Sequence, residues 1–314
     1  MLKTWRRLSL KSKLLLAGLI LVLALFIRFQ IYFHGDYRDM FLENKGTLVS
    51  VADSFLQADS IFENYDVRVT DSNGLKIAGY LRTPKDTTRH YPGLLVLNGF
   101  DTGKDVISLF RSTEEAVLLS FDYPYEGPRR FKGTDIAPFL PRIRHAIFRA
   151  VSVVLTMIDY LEQRPEVDPE KIFVVGASFG APFAVNAAAV EPRIKAVILL
   201  YGGGDISLMV ESSTHREVKS VLGKKILGWL VASLLAPMEP LKYVEYISPR
   251  PLLMINGKHD EDIFGDSAEL LFKKARQPKK IIWLDTKHAK PRMSDLTHQL
   301  EQMMKQWLSE EGLL

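Results

Sequence analysis

Short apolar runs alternate with helical stretches along most of this chain, and this alternation restricts its fold more than any other feature. Runs with the length and composition of strands buried on both faces lie at residues 93–97, 116–121, 171–175, 196–200, 251–255 and 280–284. Residues 138–161 and 293–308 instead carry apolar side chains at helical spacing. Buried strands that alternate with helices favour an α/β domain, in which helices cover both faces of a mostly parallel sheet.

The chain ahead of these runs predicts two further features. Residues 65–70 and 75–82 have strand character and are joined by the turn D-S-N-G, so we expect an antiparallel pair at the start of a mixed sheet. Residues 34–64 have a roughly amphipathic pattern, which we interpret as a helical connector. The α/β domain is therefore expected to occupy residues 65–314.

The N-terminus has the pattern of a membrane anchor. Residues 14–33 form an apolar run of about 20 residues, long enough to cross a bilayer as a helix. Residues 1–13 are basic, which predicts a cytoplasmic N-terminus and a catalytic domain on the extracytoplasmic side. The basic side chains are Lys3, Arg6, Arg7, Lys11 and Lys13. A cleaved signal peptide is the competing interpretation, although bulky residues follow the run where a cleavage site needs small ones.

Composition excludes several classes of function. The net charge is +4, and much of this excess lies in the N-terminal segment, so nucleic-acid binding is not expected. The chain has no cysteine, which rules out disulfides, cysteine nucleophiles and thiolate metal sites. The sequence implies no metal and no organic cofactor, and it does not indicate an oligomeric state.

The motif G-A-S-F-G at residues 176–180 lies between a predicted strand and a predicted helix. This setting is the one in which G-x-S-x-G exposes a serine hydroxyl at a sharp turn, with glycines leaving room for the backbone to fold tightly. We therefore predict that Ser178 is a nucleophile. A Gly- and Ser-containing turn without chemistry is the alternative interpretation.

A serine hydroxyl needs a base to take its proton and an acid to orient that base. Asp260 follows the strand at residues 251–255 and is the predicted acid. Glu261, Asp262 and the more distant Asp205 remain alternatives. His288 is the predicted base, because it follows the next strand and completes the order Ser, Asp, His. The other candidate histidines are His145, His215, His259 and His298.

An acyl-transfer site also needs two donors for the negative oxygen of the tetrahedral intermediate. The first predicted donor is the backbone N–H of Phe179, the residue after the nucleophile. The second is the N–H of Phe100 in the loop N-G-F-D-T-G, which follows the third strand.

Together these residues resemble the α/β-hydrolase superfamily, in particular its dienelactone hydrolase, acetyl xylan esterase and prolyl oligopeptidase branch. The resemblance rests on N-G-F, F-D-Y-P-Y-E-G-P, G-A-S-F-G and I-S-P-R-P-L-L-M-I-N-G-K-H-D-E-D-I, and covers roughly residue 65 to the C-terminus. In that branch a similar P-R-P-L-L run ends in the acid of the triad, which favours Asp260. The sequence departs from the branch at Asn98, where His is common, and at Lys287, where Gly is common.

A longer insert at residues 205–246 contains a strongly apolar core at residues 226–237. Inserts at this point of the fold cap the active site, so one hypothesis is that this segment lines an acyl pocket. It could instead be a helix that packs on the sheet, or a segment that touches a membrane surface with the help of Lys219, Lys224 and Lys225.

The sequence thus predicts a membrane-tethered serine hydrolase that cleaves an ester or thioester through an acyl-enzyme intermediate, acting on a small-molecule or lipid-like acyl substrate. Three alternatives remain open. The first is a peptidase of the prolyl oligopeptidase type, although the chain has no room for the usual N-terminal propeller. The others are an acyltransferase that uses the same triad and a catalytically silent, membrane-tethered binding protein.

Overall fold

The structure, a computed structural model, describes residues 9–99, 102–110, 115–128, 138–214, 218–290 and 293–314. Its helices are α1 (Leu10–His34), α2 (Arg38–Glu43), α3 (Leu140–Glu162), α4 (Ala181–Ala188), α5 (Ile206–Ser213), α6 (Val221–Leu234), α7 (Gly265–Lys274) and α8 (Ser294–Glu310). Its strands are β1 (Leu48–Ala58), β2 (Phe62–Asp71), β3 (Lys76–Pro84), β4 (Tyr91–Leu97), β5 (Val117–Phe121), β6 (Val167–Ala177), β7 (Ile194–Leu200), β8 (Leu252–Gly257) and β9 (Lys279–Leu284). Short 3-10 helices include Gly103–Leu109 and Ser178–Gly180.

The described strands form one sheet in the order β1-β2-β3-β5-β4-β6-β7-β8-β9. The pairs β1–β2, β2–β3 and β3–β5 are antiparallel, whereas all pairs from β5–β4 to β8–β9 are parallel. The predicted mixed sheet, with an antiparallel pair ahead of parallel strands, is confirmed. Because the parallel strands point the same way, the loops after them meet along one edge.

Two apolar layers hold the helices on the sheet. Neighbouring residues of a strand point to opposite faces, so Val174 of β6 packs in the layer with α3 and α4, whereas Val175 packs in the layer with α8. Both valines are fully buried. Burial on both faces explains why these strands have continuous apolar sequences rather than alternating ones.

The predicted helical connector at residues 34–64 is wrong over most of its length. Only α2 is helical within it, and β1 pairs antiparallel with β2 as the edge strand of the sheet. The apolar side chains of β1 do not mark a buried helix face, because this strand is exposed along almost all of its length. Hydrogen bonding to β2, the next strand along the chain, outweighs the pattern of the segment itself.

The helix α1 is long and apolar enough to cross a membrane, and none of its residues is buried. A signal sequence near an N-terminus has the same properties, so both interpretations of this segment fit the fold. Lys11 and Lys13 precede its apolar part, whereas residues 1–8 lie outside the described ranges.

Candidate active site

The candidate site lies where neighbouring parallel strands end. Ser178 directly follows β6, Tyr201 directly follows β7, and the loops after β8 and β9 carry Asp260 and His288. The edge formed by the carboxyl ends of these strands is the usual ligand-binding edge of α/β sheets.

Ser178 sits in a strained turn between β6 and α4. Its φ angle is 50°, in the left-handed region, which costs on the order of 1–2 kcal/mol for a residue other than glycine. A side chain on Gly176 would lie 2.6 Å from Cβ of Ala184, and one on Gly180 would overlap the backbone carbonyl of Leu97. These two glycines allow the strand and the helix to meet closely enough to expose the serine at the tip of the turn.

A chain of hydrogen bonds joins Ser178, His288 and Asp260. Nδ1 of His288 lies 2.7 Å from Oδ2 of Asp260, and Nε2 lies 3.0 Å from Oγ of Ser178. The other oxygen of Asp260 accepts the backbone N–H groups of Asp262 (2.8 Å) and Ile263 (2.9 Å). Because a carboxylate only accepts, this geometry favours a proton on Nδ1 and leaves Nε2 able to accept the serine proton.

Tyr201 supports the histidine ring, although it is not among the site residues predicted from the sequence. Its ring lies edge-on to His288 with the ring centres 5.5 Å apart, and its hydroxyl is 2.8 Å from Oγ1 of Thr286. Burial raises the pKa of the Tyr201 hydroxyl; the hydrogen bond with Thr286 opposes this shift, and the charge of Asp260 adds to it. Its position directly after β7, at the same edge of the sheet as Ser178, is the one sequence feature that could have indicated a place in the site.

The other candidate acids have different positions. Asp205 caps the start of α5, where its carboxylate accepts the N–H groups of Ser207 (3.0 Å) and Leu208 (3.2 Å). Asp262 donates its backbone N–H to Asp260, and Glu261 is exposed.

The other candidate histidines also lie elsewhere. His259 pairs with Asp285 at 2.7 Å in a second, exposed His–Asp pair. His298 lies on α8 near Glu301, and His145 lies on α3 beside another cavity. His215 is outside the described residues. Within the described ranges, no group of three or more His, Asp or Glu side chains is arranged to hold a metal ion.

Of the two predicted oxyanion donors, only Phe179 lies within the described residues. Phe179 lies in the 3-10 turn after Ser178, and its ring packs against Tyr123 and Phe183 with ring centres 5.4 and 5.2 Å away. Phe100 lies outside the described residues. Asn98, two residues before Phe100, is held in place because the Tyr123 hydroxyl donates to its carbonyl at 2.8 Å. Burial raises the pKa of that hydroxyl.

Ser178 lies on the wall of two cavities. The first, which we term the α8 cavity, has a volume of about 80 Å³ and is also lined by His288, Tyr201 and residues of α8 such as Leu300. The second, which we term the cap cavity, has a volume of about 340 Å³. Its walls are mainly apolar and come from α4, α5 and α6; they include Pro182, Phe183, Met209, Val210, Val231 and Leu235.

Comparison with known proteins agrees with this architecture. The structure resembles the acetyl xylan esterase of a Paenibacillus species with a TM-score of 0.64 and 18% identity, covering 85% of this chain and 90% of that one. It resembles acetyl xylan esterase 1 of a Thermoanaerobacterium species with a TM-score of 0.58 and 17% identity, covering 84% and 90%. At these identities the likeness concerns the fold.

The chain therefore has the α/β-hydrolase fold, as its sequence predicted. Within it, residues 140–289 match the dienelactone hydrolase family. The chain is also 31% identical over 140 residues to the hydrolyase PoxO of Penicillium oxalicum, an alignment that covers 44% of this chain and 30% of that protein. The chain therefore spans less than a third of that relative's length.

Proposed function

We propose that this α/β-hydrolase cleaves carboxylic esters or thioesters, with Ser178 as nucleophile, His288 as base and Asp260 as the acid that orients the base. The observation that carries the proposal is the hydrogen-bonded chain from Asp260 through His288 to Ser178. The strained turn and the two cavities that meet at Ser178 support it.

The reaction would proceed in two steps. Oγ of Ser178 attacks the acyl carbon while Nε2 of His288 takes its proton, and the resulting imidazolium is stabilised by Asp260. The tetrahedral intermediate then collapses: the bond to the leaving oxygen or sulfur breaks, His288 returns the proton to it, and an acyl-enzyme remains. Water repeats the sequence, with His288 as base, and releases the acid. General base catalysis of this kind contributes about 10²–10⁴-fold to the rate.

The negative oxygen of the intermediate would be bound by the backbone N–H groups of Phe179 and Phe100. These assignments follow from the position of Phe179 directly after the nucleophile and of Phe100 shortly after β4. The start of α4 adds the positive end of a helix dipole near the same point.

The cap cavity is our candidate for the acyl pocket. It is large, mainly apolar and reaches Ser178, as a binding site for an acyl chain requires. The segment 205–246 would then act as a cap, because α5 and α6 supply several of its walls. The α8 cavity, on the side of His288, would receive the leaving group, which accepts its proton from the histidine.

We also propose that α1 remains attached as a single-pass anchor, with residues 1–13 in the cytoplasm and the hydrolase domain on the extracytoplasmic side. The exposed apolar surface of α1 and the basic residues ahead of it support this topology. The mass of the mature protein isolated from membranes tests the anchor, since cleavage after residue 33 would remove the whole helix.

Hydrolysis of p-nitrophenyl esters of increasing chain length tests the proposed activity. We expect turnover by the full chain in detergent, no turnover by Ser178→Ala, and a preference for acyl chains longer than acetyl. Folded protein without turnover of any ester would contradict the proposed function, whereas a strict preference for acetyl would contradict only the assignment of the cap cavity.

A further inference from the structure

The outward face of α6 is apolar although the described residues leave it largely exposed. Its large side chains recur every three or four residues and are between 46% and 68% exposed; they are Leu222, Ile226, Trp229, Leu230 and Leu234. A helix on the surface of a water-soluble domain carries polar residues on that face. We term these five side chains the α6 stripe.

The opposite face of the same helix belongs to the candidate site. Gly228 and Ala232 are buried, and a side chain on Gly228 would lie 2.7 Å from the backbone carbonyl oxygen of Ser207 on α5. Val231 lines the cap cavity that reaches Ser178. A single helix therefore separates the proposed acyl pocket from whatever contacts the α6 stripe.

The α6 stripe is continuous with the surface of α1. The ring centres of Phe29 and Trp229 are 6.0 Å apart, and the Tyr32 hydroxyl donates to the carbonyl of Leu234 at 2.8 Å. Residues 14–28 of α1 are all exposed, so only the C-terminal end of this helix contacts the domain. The two apolar surfaces therefore meet at this end of α1.

Several contacts fix this junction. Nζ of Lys242 donates to the carbonyls of Phe33 and Gly35, where it also complements the negative end of the α1 dipole. The Tyr37 hydroxyl donates to the carbonyl of Tyr32 at 2.8 Å. Phe41, just beyond α1, is fully buried against Tyr243. The stripe is thus held at the end of α1 that would emerge from a membrane.

Three lysines lie at the start of α6, namely Lys219, Lys224 and Lys225. Positive charge beside an apolar stripe is the pattern of a helix that lies in the interface of a membrane with anionic lipids. Aromatic residues at the junction, such as Tyr32 and Trp229, are likewise typical of that interface.

We propose that α6 docks on the lipid bilayer through its stripe, and that the cap cavity receives acyl chains of esters drawn from that bilayer. The second clause rests on the proposed ester hydrolysis, whereas the docking does not. Contact with α1, which is long and apolar enough to cross a bilayer, favours the bilayer over a second copy of the chain as the occupant.

The docking is tested without any activity measurement. The chain has no cysteine, so Ile226→Cys can carry a single environment-sensitive fluorophore, and Leu270→Cys, on the exposed face of α7, is the matched control. The full chain is reconstituted in vesicles of phosphatidylcholine and phosphatidylglycerol that contain a nitroxide-labelled lipid. We expect blue-shifted emission and lipid quenching at residue 226 but not at residue 270. Equal emission and equal lipid quenching of the two labels would overturn the docking. A blue shift at residue 226 without lipid quenching, in protein whose copies cross-link to each other, would also overturn it, because a second copy would then cover the stripe.

The source of the substrate is tested with Ile226→Glu/Leu230→Glu, whose side chains do not line the cap cavity. We expect unchanged hydrolysis of a soluble short-chain ester and roughly tenfold or greater loss of hydrolysis of a long-chain ester embedded in the same vesicles. Leu270→Glu should change neither rate. Equal rates of wild type and double variant on the embedded ester would overturn delivery from the bilayer, whereas no hydrolysis of either ester by the wild type would contradict the proposed function instead.

Discussion

Oγ of Ser178 and Nε2 of His288 lie 3.0 Å apart, although 110 residues separate them in the chain. The distance is within hydrogen-bond range, so the serine proton can pass directly to the histidine. The turn after β6 and the loop after β9 reach the same edge of the sheet and bring these atoms together, and Asp260 holds the histidine from the other side.

Asp260→Asn should lower kcat for ester hydrolysis by about 10³–10⁴-fold, because an amide no longer fixes the tautomer of His288 or stabilises its charged form. The matched control is Asp285→Asn, which breaks the exposed pair with His259. We expect the control to stay within about twofold of wild type, since exposed pairs contribute little. Equal losses in both variants would argue against the role of Asp260.

Val231→Trp should shorten the acyl chain that the protein accepts. The larger ring would fill part of the cap cavity, so the ratio of kcat/KM for octanoyl over acetyl esters should fall roughly tenfold or more. Leu230→Trp places the same ring on the outward face of the same helix and should leave this ratio unchanged in detergent. If both variants keep the wild-type ratio, the acyl chain binds elsewhere.

Ser178→Gly should be more stable than Ser178→Ala by about 0.5–1 kcal/mol, because glycine adopts a positive φ without strain, whereas alanine does not. Both variants should be inactive. Thermal unfolding in detergent measures the difference, and a more stable alanine variant would show that the turn is not strained at this residue.

Tyr201→Phe probes the support of His288 and predicts a particular dependence on pH. Burial raises the pKa of Tyr201 in the folded state, so folding favours the neutral phenol over the charged phenolate. Its contribution to stability is fully present below its unfolded pKa, about 10, and is lost as pH rises through the folded pKa. The difference in unfolding free energy between wild type and Tyr201→Phe should therefore be constant at neutral pH and should shrink above about pH 10. A difference that grows in that range would contradict the direction of the shift.

Much of the parallel sheet could be predicted from the sequence. The central parts of β6, β7 and β8 are buried on both faces, so residues 172–175, 196–200 and 252–255 are continuous apolar runs that contrast with the helices around them. Because the strand ends share one edge, the order of Ser178, Asp260 and His288 was sufficient to expect them close together.

Other parts depend on contacts that no local pattern encodes. The edge strand β1 exposes apolar side chains, including Val49 and Phe55, and only its pairing with β2 distinguishes it from a helix. The choice between Asp260 and Asp262 depends on a turn in which the backbone of Asp262 donates to Asp260. The position of Tyr201 directly after β7 places it at the edge of the site, but its support of His288 arises from a ring contact with a residue of a distant loop.

Covalent labelling with a fluorophosphonate probe, located by peptide mass spectrometry, tests the central claim most directly. The probe reacts with a serine whose hydroxyl is activated by a neighbouring base. We predict that folded wild type is labelled on Ser178, that Ser178→Ala is not labelled, and that His288→Ala is labelled far more slowly. Folded wild type that resists the probe, or Ser178→Ala that is labelled as fast as wild type, would contradict the assignment of Ser178 as the nucleophile.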